Sequence, residues 1–110
     1  MTPDAEERAV TDQLIDTFIE KWLDFDLQIR ERRGINEDLY DYLLELLEQL
    51  ESEFEGRESI PKKLAEIFLD MWGAMISSAD AQGAYDSDAR SEIYQAADRL
   101  TFHARNICTN

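Results

Sequence analysis

Carboxylates are the side chains that this sequence offers in greatest number for chemistry. The chain of 110 residues has 25 Asp and Glu against 11 Lys and Arg, which gives a formal net charge of −14 at pH 7. Carboxylates at helical spacing can hold a hard cation, transfer protons or bind a cationic protein. The densest group extends from Asn36 to Glu58 and holds nine carboxylates and one basic residue, Arg57.

Catalytic spacing is missing around the residues that would have to carry it. His103 is the only histidine and therefore the one candidate base for a nucleophilic site. Cys108, the only cysteine, follows five residues later, which turns it about 140° away from His103 on a helix. Di-iron bundles use Glu-x-x-His, but the residue three before His103 is Leu100. The sequence also has no glycine-rich phosphate loop, so we expect a protein that is not an enzyme.

Metal-binding patterns are equally incomplete. The segment that begins at Asp80 has acids spaced as in a calcium loop, but its sixth position is Tyr85 instead of Gly and its twelfth is Ser91 instead of Glu. Glu45 and Glu48 have a spacing that any acidic helix produces. We therefore expect no metal and no cofactor.

Composition narrows the partners and the location. A charge of −14 repels phosphate backbones and anionic membranes, so we expect neither nucleic acid nor a membrane as a partner and favour a basic protein. No apolar stretch approaches the roughly 20 residues that span a bilayer. The acidic start MTPDAEERAV does not have the pattern of a signal peptide, and a single cysteine excludes an intrachain disulfide. These features predict a cytoplasmic protein.

Helix signals divide the chain into four segments. Capping residues occur at Thr2, Asn36, Ser59 and at either Asp86 or Ser87. Short connections between amphipathic helices favour antiparallel neighbours, so residues 1–110 are predicted to form one all-α domain, an antiparallel four-helix bundle. The first helix, predicted over 3–33, would be about 45 Å long, which favours a bend. The third is expected to fade through 77–83.

Apolar residues at three- and four-residue spacing define the predicted core. The expected inward residues are Val10, Leu14, Phe18, Trp22, Phe25 and Ile29; Leu39, Leu43, Leu46, Leu47, Leu50 and Phe54; Leu64, Ile67, Phe68, Met71, Trp72 and Met75; and Ile93, Ala97, Leu100, Ala104 and Ile107. A second stripe of Ile19, Leu23 and Leu27 widens the apolar arc of the first helix. We interpret it as the mark of a central helix packed on two sides in a monomer; the alternative is a homodimer through that strip.

The second helix concentrates the charge of the chain. Residues 36–58 contribute −8 of the −14. Like charges three and four residues apart destabilise a helix by roughly 0.2–0.5 kcal/mol per pair, and a purely solubilising surface mixes signs. Two interpretations stay open, a solvated face and a docking surface for a cationic partner, rimmed by tyrosines. The predicted partner-binding residues are Asp38, Tyr40, Asp41, Tyr42, Glu45, Glu48, Glu51 and Glu55.

The stretch Asp38-Leu39-Tyr40-Asp41-Tyr42 resembles the acid-plus-paired-tyrosine recognition element of the immunity proteins of nuclease colicins. In that family the tyrosines are adjacent, on a short helix that a proline follows, whereas here Asp41 intervenes and the helix continues. The small acidic helical bundle as a whole is similar to immunity proteins of colicins and contact-dependent inhibition toxins. The resemblance implies a binder that blocks a cationic nuclease, either at its active site or at an adjacent surface.

Three functions of different kinds follow from these patterns. The first is an immunity protein that neutralises a basic toxin domain. The second is a nucleic-acid mimic of the anti-restriction or anti-CRISPR type, which would spread carboxylates over several elements. The third is a secretion chaperone or small regulatory dimer, for which the wide apolar arc of the first helix is the indication. The concentration of charge on one helix favours the first.

Overall fold

Four α-helices make up the protein. The structure, a computed structural model, describes residues 5–109, with side chains from residue 9 onward. The helices are α1 (Ala5–Arg30), α2 (Glu37–Phe54), α3 (Lys62–Gly83) and α4 (Ser87–Thr109). The described residues include no strand, and the predicted all-α four-helix bundle is confirmed. The predicted start of the first helix at Thr2 and Pro3 lies outside the described residues.

The helices form two hairpins, α1–α2 and α3–α4, which pack with α1 beside α3 and α2 beside α4. Lys63 Nζ at the start of α3 lies 2.8 Å from Asp16 Oδ1 in the middle of α1, and the Gln82 side-chain amide near the end of α3 donates to the Ile29 carbonyl near the end of α1 at 2.8 Å. The contacts follow the same order along both helices, so α1 and α3 run parallel. Within the described range, α1 lies diagonally opposite α4, and α2 opposite α3.

Side-chain caps fix the starts of two helices. The Asn36 side chain accepts from the Leu39 N–H at 3.1 Å, as predicted, and Asp86 accepts from the Ala89 N–H at 3.1 Å, which decides between the two candidate caps of α4. The predicted cap at Ser59 is wrong, because α3 begins behind Pro61 without a side-chain cap. A proline disfavours helical conformation in the residue before it, so Ile60 does not take the first helical position that a cap at Ser59 requires.

The end of α1 and the extent of α3 differ from the prediction. α1 ends three residues early because the N–H groups of Arg32 and Arg33 turn back to the carbonyls of Ile29 and Gln28 at 3.0 Å, with Arg32 at a φ of +60°. α3 does not fade but continues to its last residue at 83. Its final turns are held by the buried Ala79 and by the contact with α1 described above.

Most of the predicted core is confirmed. The residues that were predicted wrongly point to a different side of their helix from the one expected. Trp72 is 41% exposed and Val10 58% exposed, although both were expected to face inward. Trp72 lies about 100° around the helix from the buried Met71, which places it at the edge of the core. Ile15 and Leu44 are buried without having been predicted. The buried set, shared by all four helices, is Ile15, Phe18, Trp22, Phe25, Ile29, Leu43, Leu44, Leu46, Leu47, Leu50, Phe54, Leu64, Met71, Met75, Ala79, Ile93, Ala96, Ala97, Leu100, Ala104 and Ile107.

The second apolar stripe of α1 is not buried between two neighbours. Leu23 is 51% exposed and Leu27 is 47% exposed, and only Ile19 packs against the core. The interpretation of this stripe as buried by a second neighbour is wrong for Leu23 and Leu27, although α1 contacts both α2 and α3. The expectation of a monomer depended on this packing, and the exposure of Leu23 and Leu27 removes that support.

One acidic side chain is buried in α1. Asp26 is 7% exposed; its Oδ2 lies 3.2 Å from the Arg30 guanidinium, and its Oδ1 has no hydrogen-bond partner among the described residues. Burial raises the pKa of Asp26, and the Arg30 charge opposes that rise. An unsatisfied buried polar atom costs about 1–3 kcal/mol, so Asp26 weakens the fold when it is ionised.

Replacing Asp26 by Asn is expected to stabilise the protein at neutral pH. The amide keeps an oxygen for Arg30 and removes the buried charge, so we expect the free energy of unfolding at pH 7 to rise by about 1 kcal/mol. Because the pKa of Asp26 is raised in the folded state, the folded chain binds more protons, and the wild type loses stability as pH rises above the ordinary value of 3.8. The advantage of Asp26→Asn should therefore vanish below that pH.

Urea unfolding at several pH values measures this difference. The control is Asp24→Asn, which removes one negative charge from an exposed position of the same helix. A gain for Asp26→Asn that equals that of the control at every pH would contradict the assignment of the cost to burial.

Candidate functional site

The outer side of α2 carries a row of exposed carboxylates. The helix places these acids opposite its buried leucines, since the two sets follow the same helical period half a turn apart. No ion pair or hydrogen bond joins any of them to another side chain that the structure describes. We call this surface the acidic face; its members are Asp38, Asp41, Glu45, Glu48 and Glu55, the last at the C-terminal cap of the helix.

Glu51, the remaining predicted acid, is engaged within the fold. Its Oε1 lies 2.6 Å from His103 Nδ1 of α4, and the two side chains are 25% and 14% exposed. This contact joins α2 to the neighbouring helix at a partly buried position. Glu53 is also engaged, since it accepts a hydrogen bond from Thr11 at 3.0 Å. The structure thus separates structural acids of α2 from those of the acidic face.

The two predicted tyrosines lie on opposite flanks of α2. Tyr40 is half-buried, with its ring stacked on Phe25 at a centroid distance of 6.1 Å. Burial raises the pKa of Tyr40, the Arg99 charge lowers it, and Asp41 raises it. Tyr42 is 38% exposed and lines a groove between α1 and α2. Tyr42 is therefore the tyrosine available to a partner, whereas Tyr40 belongs to the core.

A second row of acids follows α1. Asp12, Asp16, Glu20 and Asp24 recur at every fourth residue, and all four are exposed. Their backbone positions are about 6 Å apart along the helix axis. Asp16 is paired with Lys63, which leaves three of the four without an ion pair to a described side chain.

No grouping of metal ligands is present in the described part of the chain. Among residues 9–109, no three His, Cys, Asp or Glu side chains lie close enough together to hold a metal ion. None of the helices in that range is both long and apolar enough to cross a bilayer.

Sequence reasoning missed an exposed apolar surface on the second hairpin. Leu69 is 82% exposed, Phe102 is 60% exposed, and Trp72, one helical turn after Leu69 on α3, is 41% exposed. Trp72 and Phe102 line a cavity of about 680 Å³ together with Asp98 and Arg105. We call these five residues the α3–α4 face. Leu69 and Phe102 do not share the spacing of the inward-facing apolar residues of their helices. This departure was the signal in the sequence that could have indicated their exposure.

The distinction between engaged and free acids of α2 is testable with two substitutions. Glu51→Gln weakens the contact with His103, so we expect it to lower the free energy of unfolding by about 1 kcal/mol. Glu48→Gln, on the acidic face, relieves repulsion between neighbouring carboxylates and is expected to raise it by roughly 0.2–0.5 kcal/mol. Chemical denaturation at pH 7 measures both, and equal effects of the same sign would contradict the separation.

Comparison with known proteins supplies no relative from which a function could be transferred. The chain matches no protein-family model, no curated protein and no solved structure.

Proposed function

We propose that this protein is a small inhibitor that binds a basic toxin domain of the nuclease type through the acidic face, as immunity proteins do. The observation that carries the proposal is a set of five exposed carboxylates on one helix without an ion-pair partner among the described residues. Among the residues that the structure describes, no cation compensates their charge. A cationic partner is the chemical class that would compensate it.

The energetics of α2 favour a partner over a solvated surface. Each pair of like charges at three- or four-residue spacing destabilises the helix by roughly 0.2–0.5 kcal/mol, and the acidic face holds several such pairs. Lysines in the same positions would relieve this repulsion, but the only basic residue of the segment, Arg57, lies beyond the helix and faces Glu53 at 4.0 Å. A bound Lys- or Arg-rich surface turns the repulsion into attraction.

A nuclease domain suits this surface because its own substrate dictates its charge. Proteins that bind nucleic acids neutralise phosphates with Lys and Arg side chains. An acidic helix placed against those side chains competes with the substrate for them. The resulting inhibition needs no catalytic residue in the inhibitor.

Binding at such a surface needs a desolvated anchor in addition to charge. Rim charges act mainly on the association rate, whereas aromatic residues in the centre of an interface slow dissociation. Tyr42 is exposed, and its phenol ring lies on the α1 side of the acidic face. We assign Tyr42 the anchoring role and leave Tyr40 to the core, where it stacks on Phe25.

A nucleic-acid mimic is the second candidate, and the acidic row of α1 is the observation that favours it. The carboxylates of that row are about 6 Å apart along the axis, whereas one DNA strand has a phosphate per roughly 3.4 Å. The row therefore has about half the linear charge density of a strand, and Lys63 neutralises one of its members. The inhibitor uses α2 alone, whereas a mimic requires both rows.

Charge reversal on the acidic face tests the inhibitor. The partner to use is a basic toxin domain of the nuclease type from a neighbouring gene, where the genome carries one. We expect Glu45→Lys with Glu48→Lys to slow association with that domain roughly tenfold or more at low salt and to flatten its salt dependence. Stopped-flow fluorescence at several ionic strengths measures the rate. The matched control is Glu66→Lys with Asp70→Lys, two exposed acids of α3, which changes the net charge equally.

Tyr42→Ala, by contrast, is expected to speed dissociation with little effect on association. Co-expression with the toxin domain should rescue growth for the wild type and the α3 control but not for the variant with all three changes. Full rescue by a folded triple variant would show that the acidic face is only a solvated surface. A requirement for Glu20 and Asp24 as well would favour the mimic.

A further inference from the structure

We propose that the α3–α4 face is the interface of a homodimer, occupied by a second copy of this chain about a two-fold axis. Three large apolar side chains are exposed there: Leu69 at 82%, Phe102 at 60% and Trp72 at 41%. Isolated exposed apolar residues are ordinary, but Trp72 and Phe102 line one groove between two helices, and Leu69 is one helical turn before Trp72 on α3. Homodimer interfaces are the more apolar class of protein interface.

The distribution of charge allows two copies to meet at this face. Residues 1–58 hold eighteen acids and six bases, whereas residues 59–110 hold seven acids and five bases. Copies of a chain with a charge of −14 repel each other, so association is least opposed where the charges are nearly balanced. The other exposed apolar pair, Leu23 and Leu27, is flanked by Glu20 and Asp24 on the acidic hairpin, where two copies would bring like charges together.

Two opposite charges on α4 make the face complementary to itself. Asp98 and Arg105 are exposed, line the same groove and have no ion pair among the described residues. They are seven residues apart, hence on the same side of the helix and about 10 Å apart along its axis. When α4 packs antiparallel to its copy, Asp98 meets Arg105 of the second copy, and the reverse pair forms at the same time. Phe102 lies beside the midpoint of the two charges and meets its own copy near the axis.

The positions of the apolar residues of α3 are compatible with the same two-fold axis. Asp80 of α3 lies 3.3 Å from the Arg90 guanidinium and accepts from the Tyr94 hydroxyl at 2.9 Å, which sets the register of the two antiparallel helices. Because α3 and α4 are antiparallel, a position a given distance before Asp80 on α3 lies beside the position the same distance after Arg90 and Tyr94 on α4. The part of α3 between Leu69 and Trp72 therefore lies beside Phe102. A single two-fold axis therefore places Leu69 on Trp72 of the second copy while it pairs the two charges.

The dimer is independent of the proposed toxin binding. The acidic face belongs to the other hairpin and stays outside the α3–α4 interface. Two copies joined in this way keep both acidic faces accessible, so each copy retains its surface for a partner.

Charge exchange across the axis tests the proposal with the full chain. We expect the wild type to be a dimer by size-exclusion chromatography with light scattering, and Asp98→Arg or Arg105→Asp alone to raise the dissociation constant at least roughly tenfold, because each places like charges opposite each other. A mixture of the two single variants should form a heterodimer, since both crossing pairs are then opposite in sign. The double variant in one chain should also restore the homodimer.

Circular dichroism is used to check that these surface variants remain helical. Leu23→Glu is the control and is expected to leave the dimer intact. A wild type that stays monomeric at about 1 mM, where a millimolar association would still populate dimers, overturns the proposal. Single variants as tight as the wild type overturn it, and so does a mixture that fails to associate. A dimer broken by Leu23→Glu with unchanged folding would move the interface to α1.

Discussion

The leucine packing of α2 is the interaction on which the structure depends. A segment with nine carboxylates and one base would not form a stable helix alone, because several like-charge pairs oppose it. Leu43, Leu47 and Leu50 are fully buried, and each side chain contributes about 1.5–3 kcal/mol on burial. That gain exceeds the few tenths of a kcal/mol lost per charge pair. The core thereby holds a concentrated negative surface in a fixed geometry.

The two hairpins expose different kinds of side chain. The first hairpin exposes the acidic face and the acidic row of α1, whereas the second exposes Leu69, Trp72 and Phe102 with nearly balanced charge. Repulsion between like charges opposes self-association through the first hairpin, and the same charges would attract a cationic partner. The second hairpin lacks that repulsion. The same bundle thus exposes two surfaces with different chemistry on different hairpins.

Much of the fold follows from local chemistry in the sequence. The side chain of Asn36 satisfies a free N–H at the start of α2, and the period of the α4 core residues, such as Leu100 and Ile107, sets its buried face. These features depend only on neighbours along the chain. The acidic face is predictable for the same reason, since its acids lie opposite the leucines of their own helix.

The errors arise where the position of another helix decides. Trp72 has the spacing of a core residue, but it lies at the edge where α3 meets α4, and Leu23 has the spacing of a second apolar stripe, but neither neighbour of α1 covers it. The sequence does not distinguish Glu51 from the other acids of α2. Only the fold brings His103 of α4 to within 2.6 Å of its carboxylate. Helical periodicity gives the direction of a side chain from its own axis and says nothing about which helix lies there.

The central claim is that the uncompensated carboxylates of α2 are the surface that a basic partner covers. Backbone amide chemical-shift mapping of the isotope-labelled protein with the basic toxin domain tests it most directly. The account predicts perturbations concentrated over residues 38–55, including Tyr42, that weaken as the salt concentration rises. Perturbations centred on α3 and α4, with those of α2 unchanged, would contradict it.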